Sequence, residues 1–393
     1  MRRRAVLSLL ILLLGLPLAG CWHTLGVDQR GLISVVGVDP GPHGLYHFTF
    51  GVLNPPGLPA PGGKGSTSGA PTTLPHSADA TDIDQAVHAA SAQMHLHFDL
   101  AHLQVLVVSE EVARQGLMPI LDFVARSPTI IETGHLLVVR GGRAESLLEG
   151  GAALSPYEGK AIEDTEAWTE MQTPLRALRL FQVISRVPML GNAPFTAGIR
   201  VTEPAGGKEE MFRIEGQAVF AGDKLAGWLS QDATYGLALA RGHVAHLAVS
   251  FPGPTPGGAF TLDLIGARPQ EAVRTIGGRP VLELTVAARG RLASLHPEVP
   301  LGRPADIVPY QTAAATRLVR FLTQAVKETK ALKADAIGFG EAVRIDQPQL
   351  WRRWRPDWPG KIYPELPVVV HAKVTIIGTG DKGTPINPQT GQD

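Results

Sequence analysis

Apolar residues are concentrated first in an N-terminal leader. Residues 6–18 form a predominantly apolar run that follows the basic residues 2–4 and precedes the segment Leu18-Ala19-Gly20-Cys21. The run is too short for a comfortable membrane span, and its order of basic, apolar and small residues is that of a secretory signal peptide. Residues 1–20 are therefore predicted to be a leader that ends directly before Cys21.

Beyond the leader, the N-terminal half alternates between strand and helix periods. Residues 32–38 are continuously apolar and residues 46–53 alternate, which together predict a hairpin. Residues 54–77 are dominated by Pro, Gly, Ser and Thr and predict a long loop. Thr81 is predicted to cap a helix whose apolar residues recur every three or four positions: Ile83, Ala86, Val87, Ala90 and Met94. Further strands are predicted over 103–108 and 135–139, and helices over 110–125, 144–148 and 175–187. This alternation predicts a mixed sheet covered by helices.

From Phe195 onward, short extended segments dominate the pattern. Strands are predicted over 196–201, 212–220, 225–229, 244–251, 259–265 and 281–288, with a short helix over 230–241. The longest helix is predicted over 308–332, where the buried face consists of Ala314, Leu318, Phe321, Leu322 and Ala325. A final strand over 366–377 precedes a polar tail that begins at Gly378 and is predicted to be frayed.

The composition is that of a folded globular protein. Hydrophobic residues make up 44% of the 393 residues and charged residues 18%. A mature chain of about 370 residues is too long for one core and predicts two or three domains. The formal net charge is zero, so the overall charge favours neither nucleic acid nor anionic lipid as a partner.

Cys21 is the only cysteine of the chain, so it has no partner for an intrachain disulfide. The pattern Leu18-Ala19-Gly20-Cys21 resembles the lipobox of bacterial lipoproteins, in which the cysteine is acylated and becomes the mature N-terminus. This resemblance implies a covalent diacylglycerol and an N-acyl lipid on Cys21, and two buried chains anchor a protein stably. The alternative is an ordinary signal peptide followed by a chance cysteine.

No nucleophile or metal-ligand motif is evident in the sequence. There is no Gly-x-Ser-x-Gly elbow, and an acylated Cys21 excludes cysteine catalysis. His95 with His97, and His243 with His246, are not supported by a nearby cysteine or a His-Glu-x-x-His motif, so they are interpreted as surface or capping residues.

The remaining candidates for chemistry are also interpreted as structural. Asp164 and Glu166 have the spacing of paired carboxylates but are interpreted as ordinary surface acids. The segment Gly338-Phe339-Gly340 lacks the third glycine of a dinucleotide site. The sequence therefore predicts a protein that is not an enzyme and has no metal or other cofactor.

One aromatic and basic cluster lies near the C-terminus. Trp351, Trp354 and Trp358 are three of the six tryptophans, and they alternate with arginines that include Arg355. The spacing of Trp351 and Trp354 places both on one helix face, which favours core or interdomain packing. A surface for a partner or for lipid headgroups is the alternative. Pro356 is predicted to end any helix in this segment.

Several segments together resemble the Ger(x)C family, the lipoprotein C subunits of bacterial spore germinant receptors. The segments occur in order between about residues 20 and 381: Gly20-Cys21-Trp22, residues 35–39, residues 102–116 (HLQVLVVSEEVARQG), residues 214–220 with 223–227, and residues 333–341 (KADAIGFGE) followed by Pro348, Trp351 and Trp358. The chain departs from the family pattern at residues 23–26 and 232–234, and residues 54–77 resemble an insertion.

The resemblance implies an α+β fold of three mixed α/β domains, each a β-sheet packed with helices. The implied division is an N-terminal domain over 21–200, a middle domain over 201–265, a C-terminal domain over 266–381 and a flexible tail over 382–393. It also implies a non-enzymatic subunit of a nutrient germinant receptor, anchored at the outer face of the spore inner membrane. Its implied partners are a membrane-spanning A subunit and a transporter-like B subunit.

Two other classes of protein remain open from the sequence. The first is a lipoprotein that binds a small solute and delivers it to a transporter, although the unlike halves of the chain differ from the two similar lobes expected there. The second is a cell-wall hydrolase, for which no catalytic constellation is evident.

Overall fold

The structure, a computed structural model, describes residues 26, 29–54, 72–149, 158–202, 211–277, 279–296, 301 and 303–378. The leader, Cys21, most of the predicted loop and the tail lie outside these residues. The described strands are β1 Arg30–Pro40, β2 Tyr46–Leu53, β3 Thr73–Ala80, β4 His97–Asp99, β5 Val105–Ser109, β6 His135–Val139, β7 Phe195–Thr202, β8 Met211–Ala221, β9 Lys224–Leu229, β10 Leu247–Pro252, β11 Ala259–Ile276, β12 Arg279–His296 and β13 Val368–Ile376.

The helices lie mainly between strands. They are α1 Ile83–Met94, α2 Glu110–Gln115, α3 Met118–Arg126, α4 Ser146–Glu149, α5 Glu158–Gln172, α6 Leu180–Arg186, α7 Gln231–Ala240, α8 Pro304–Ala331, α9 Phe339–Asp346, α10 Pro348–Trp354 and α11 Tyr363–Glu365, with a π-helical turn over Trp358–Ile362.

The first sheet has nine described strands in a mixed arrangement. Their order is β3-β2-β1-β5-β6-β7-β8-β9, and β4 pairs with β1. The four strands β1, β5, β6 and β7 run parallel, and antiparallel hairpins extend both edges. β5 is buried at every position, as expected for a parallel strand covered on both faces. Its Leu106 and Val107 point to opposite sides and belong to two different apolar clusters.

The second sheet has the order β10-β11-β12-β13 among the described residues. Its inner face packs on α8, whose residues Ala314, Leu318 and Leu322 are fully buried. α8 in turn packs on α7, where the rings of Tyr235 and Phe321 stack at 5.0 Å. Since α7 follows directly from β9, this helix pair joins the two sheets.

The predicted α+β class is confirmed by the mixture of strands and helices. The described strands form two sheets where the sequence predicted three domains with a sheet each, and the strands of residues 201–265 are divided between them. β8 and β9 extend the first sheet, while β10 and the start of β11 belong to the second. The predicted boundary at 265/266 falls inside β11, since the strand stays paired with β12 beyond a register shift between Leu264 and Gly266 and continues to Ile276.

Several local predictions need correction. β3 begins at Thr73, inside the predicted loop 54–77, because residues 73–80 pair in full register with β2; residues 55–71 lie outside the described part. The helix predicted over 110–125 is two helices, broken at Gly116, where φ is +134° and the backbone meets the Asp223 turn. Asp82, rather than Thr81, caps α1, since its carboxylate accepts the Gln85 N–H at 2.9 Å.

One predicted helix start differs for a related reason. The helix predicted from residue 175 begins at Leu180, since the backbone before it is used by neighbours. Gln217 bonds the N–H and C=O of Arg176, and the C=O of Leu178 accepts from Leu136. Helices α5 and α9 have no counterpart in the predictions.

Candidate functional site

Asp335 lies at the centre of the predicted aromatic cluster, in the loop between α8 and α9. Its buried carboxylate accepts the backbone N–H groups of Gly338 at 2.9 Å, Phe339 at 3.1 Å and Gly340 at 2.7 Å, and the indole N–H of Trp358 at 3.0 Å. Burial raises the pKa of Asp335 to about 6, and the four N–H donors oppose that rise. The carboxylate is therefore saturated with donors and stabilises the start of α9.

Trp358 joins three other aromatic rings around this carboxylate. It is fully buried and stacks on Tyr363 at 5.8 Å and on Trp354 at 6.1 Å, while Trp351 meets it edge-on at 5.3 Å. The hydroxyl of Tyr363 bonds that of Thr329 in α8 at 2.7 Å. The aromatic cluster thereby ties the segment after α9 to the long helix of the second sheet.

Gly191 and Gly340 bring the segment after α6 against the start of α9. A Cβ on Gly191 would lie 2.5 Å from Cα of Gly340 and 2.9 Å from Cη2 of Trp351. The backbone bonds across this contact run from Ala193 N–H to the Asp335 carbonyl at 2.9 Å and from Glu341 N–H to the Gly191 carbonyl at 3.2 Å. The predicted cluster therefore lies at a junction between the segment that leads into β7 of the first sheet and the C-terminal region. We call it the glycine junction, consisting of Gly191, Asp335, Gly340, Trp351 and Trp358.

The structure separates the four residues predicted for a partner or interdomain surface. Trp358 has no exposed surface, so packing is its role and it cannot contact a partner. Trp351 and Trp354 are half-buried, and Arg355 is exposed. Only Trp351, Trp354 and Arg355 retain surface for a partner, and that role stays a prediction. The prediction that Pro356 ends any helix here needs correction: α10 ends at Trp354, but a 3-10 turn over Arg355–Asp357 continues the helical backbone through Pro356.

A pair of arginines lies behind the glycine junction. The guanidinium of Arg241 donates to the Ile337 carbonyl at 3.0 Å, and the guanidinium groups of Arg186 and Arg241 lie 5.2 and 5.9 Å from the ring of Phe195. Burial lowers the pKa of Arg186 to about 10, and the charge of Arg241 adds to the effect. Burial likewise lowers the pKa of His243 to about 3, so this histidine is neutral at physiological pH.

The other candidates for chemistry occupy structural positions. His95 ends α1 in the left-handed conformation with φ of +56°, and His246 contacts Asp263 at 3.3 Å. Within the described ranges, no group of three or more His, Cys, Asp or Glu side chains could hold a metal ion. Cys21 lies outside the described residues.

The interpretation of Glu166 as a surface acid is wrong. α5, which the sequence did not predict, buries its side chain to 4% exposure, 3.6 Å from His135. Burial and the adjacent Glu170 raise the pKa of Glu166 to about 9. Asp164, by contrast, is partly exposed and pairs with Lys160 at 2.8 Å.

Asp335 was missed as a central residue by the sequence analysis. It occurs in the segment 333–341 that carries the family resemblance, but no role was assigned to it there. The available signal was an aspartate three residues before a glycine at a helix start, which is a common arrangement for a capping side chain.

These features define a structural junction in a two-sheet α+β protein. Residues 26–200 match the family described as Spore germination protein N-terminal domain, and residues 215–380 match the family described as Spore germination B3/GerAC like, C-terminal. The chain belongs to the Ger(x)C family of spore germination proteins.

Individual relatives agree with this membership. The chain is 25% identical to Spore germination protein KC of Bacillus subtilis (strain 168) over 411 aligned residues, which cover 100% of both chains. It is 28% identical to Spore germination protein GerQC of Bacillus cereus over 142 residues, 36% of each chain. The crystal structure of the GerBC protein is similar in fold, with a TM-score of 0.55 and 18% identity over 87% of this chain and 96% of that chain.

Proposed function

We propose that this chain is the lipid-anchored subunit of a nutrient germinant receptor, required for spore germination. In this proposal it is attached at the outer face of the spore inner membrane and assembles with a membrane-spanning A subunit and a transporter-like B subunit. Its role is assembly or signalling, without catalysis. The observation that carries the proposal is the match to both family regions, in order, over residues 26–200 and 215–380.

The proposed attachment rests on Cys21. The residues before it have the order of a signal peptide, and Leu18-Ala19-Gly20-Cys21 resembles a lipobox. In the part of the chain that the structure describes, no helix is long and apolar enough to cross a membrane. The diacylglycerol and N-acyl lipid proposed for Cys21 would together anchor the chain.

Partner recovery tests the assembly directly. The tagged full-length chain is crosslinked in spore membranes and purified, and its partners are identified by mass spectrometry. We expect a transporter-like membrane protein and a second spanning subunit. The Cys21→Ala chain serves as the anchoring control and should be lost from the membrane fraction. Recovery of a solute permease with its ATPase, or of no membrane partner, would refute the receptor role.

The exposed edge of the glycine junction is the proposed partner surface. Arg355 is exposed beside the half-buried Trp354, and its charge can be reversed with little effect on the buried Trp358. Arg355→Glu is expected to reduce recovery of the membrane subunits while the chain stays folded. Arg213→Glu, at an exposed position of β8 in the other sheet, is the matched control. Equal recovery with both variants would remove Arg355 from the interface.

One observation favours the solute-binding alternative. A cavity of about 320 Å³ opens between β8, β9 and α7, and its lining includes Arg140, Glu215, Leu229 and Tyr235. This volume and the mixture of apolar and charged walls suit a small organic ligand. Calorimetry of the purified chain with amino acids and sugars tests this function, because a solute-binding protein must bind its ligand without other subunits.

A further inference from the structure

The outer face of the second sheet carries a cluster of exposed cations. Arg268 of β11, Arg289 and Arg291 of β12 and Lys373 of β13 are all exposed. The residues that alternate with them, such as Ala288 and Val374, are buried on the inner face against α8. We call the outward-pointing surface of β11, β12 and β13 around these four residues the basic sheet face.

Strand register places three of these cations in two adjacent rows of one face. Ala287 is paired with Arg268 on one neighbouring strand and with Lys373 on the other, and Arg289 is paired with Thr375. Paired residues of adjacent strands point to the same face, and adjacent strands lie about 4.8 Å apart. Arg268 and Lys373 therefore lie in one row across the three strands, on either side of Ala287. Arg289 occupies the next row on the same face.

The four cations have no ion pair among the described residues. Two acidic residues lie on this face. Asp263 is the cross-strand neighbour of Arg291 but makes its ionic contact with His246, at 3.3 Å, and Glu283 pairs with Arg274 at 2.8 Å. A formal net charge of zero for the whole chain thus conceals a local excess of positive charge on one surface.

We infer that the basic sheet face binds anionic phospholipid headgroups. A sheet presents several cations at once to a flat anionic surface, and juxtamembrane lysines and arginines are attracted to such a surface. Single-stranded nucleic acid is the less suitable occupant, because the described part of this face has no Phe, Tyr or Trp on which bases could stack. The choice of a membrane over an acidic protein rests on the proposed attachment through Cys21.

Vesicle sedimentation tests this inference without the anchor. The protein is the chain from Trp22 onward, which contains every described residue and lacks the leader and Cys21. It is mixed with vesicles of phosphatidylglycerol and phosphatidylcholine, or of phosphatidylcholine alone, at low and high salt. We expect binding to the anionic vesicles only, weakened by salt because exposed charges are screened.

A matched pair of variants locates the binding surface. Arg289→Gln with Lys373→Gln is expected to weaken binding to anionic vesicles about 30-fold, from the attraction of two cations near the surface. Arg320→Gln with Lys327→Gln removes the same charge from exposed positions of α8, on the opposite side of the sheet, and should leave binding unchanged. Thermal unfolding of both variants controls for folding.

Three outcomes would overturn the inference. They are equal binding to both kinds of vesicle, equal weakening by both variant pairs, or binding to anionic vesicles that Arg289→Gln with Lys373→Gln leaves unaffected. If that variant pair instead loses receptor subunits in the pull-down, the face is assigned to a protein partner. Because the assay contains no other subunit, it can succeed or fail independently of the receptor role.

Discussion

The indole N–H of Trp358 donates to Oδ2 of Asp335 at 3.0 Å, and both side chains are completely buried. The same oxygen accepts the Gly340 N–H at 2.7 Å. This one carboxylate therefore connects the aromatic cluster to the glycine whose backbone contacts Gly191. Replacing either partner should affect the whole junction rather than a single bond.

Asp335→Asn tests the importance of the saturated carboxylate. In either orientation of the amide, its NH₂ group faces two of the four donors, which then lose their acceptor. We expect a loss of about 2–4 kcal/mol in the free energy of unfolding, measured by urea denaturation at pH 7. Asp346→Asn, at the exposed end of α9, is the control. A difference of less than about 0.5 kcal/mol between the two variants would contradict this role.

Gly340→Ala tests the close backbone contact at the junction. The added methyl group would overlap Cα of Gly191 and lie 2.9 Å from Nε1 of Trp358. We expect the two segments that contain Gly191 and Gly340 to separate locally. The free energy of unfolding should fall by about 1–3 kcal/mol, and proteolysis after α6 should be faster. Gly360→Ala is the control, since its Cβ would meet no atom within 4 Å. If both variants unfold at the same temperature, the close contact between Gly191 and Gly340 is not required for stability.

Glu166→Gln tests the buried acid of α5. The pKa of Glu166 is about 9 in the folded protein and 4.5 in the unfolded chain, so folding takes up a proton between these pH values. Its contribution to stability is therefore complete below about pH 4.5 and decreases as the pH rises towards 9. The variant should gain about 4–5 kcal/mol over the wild type at pH 8, from about 1.4 kcal/mol per pH unit above 4.5, and nothing at pH 4.

Urea denaturation at the two pH values measures that difference. Glu149→Gln, an exposed change in α4, should show the same pH dependence as the wild type. A Glu166→Gln variant that tracks the wild type at every pH would show that Glu166 is ionised in the folded protein.

His243→Gln tests the effect of a neutral buried histidine in acid. Burial lowers the pKa of His243 to about 3, below the usual value of about 6.5. Between these two pH values the imidazole is therefore protonated in the unfolded chain and neutral in the folded protein. Its contribution to stability therefore falls as the pH decreases from 6.5 to 3. As the pH decreases through this window, the stability of the variant should fall less steeply than that of the wild type. The two slopes should differ by about 1.4 kcal/mol per pH unit.

Thermal unfolding between pH 4 and pH 7 provides the measurement. His88→Gln replaces a histidine whose side chain is 78% exposed and should retain the wild-type slope. An unchanged slope for His243→Gln would indicate that His243 becomes charged within the fold.

Local elements were predictable where one face of a strand or helix is apolar. The strand over 135–139 has the predicted bounds, and the predicted face of α8 is the buried one. Bounds were wrong where a distant segment uses the backbone. β3 depends on pairing with residues of β2 that lie 20 to 34 positions earlier in the chain, and residues 175–179 stay outside the helix because of Gln217 and Leu136.

The candidate site was only partly accessible to the same reasoning. The spacing of Trp351 and Trp354 indicated that the cluster packs in the core. Trp358 is the member of the cluster that is completely buried. Asp335 could not be assigned a role, because its four donors come from residues three to five positions ahead and from Trp358 twenty-three positions away. The row of Arg268 and Lys373 is likewise defined only by the register of three strands.

The order of most strands and helices and the family of the protein follow from the sequence alone, which also predicts a leader that ends before Cys21. These properties depend on local apolar periodicity and on residues that lie close together in the chain. The tertiary structure decided which side chains are buried, how the strands are divided between two sheets, and where Gly191 meets Gly340. Those outcomes depend on contacts between distant segments, whose free energy is not determined by either segment alone.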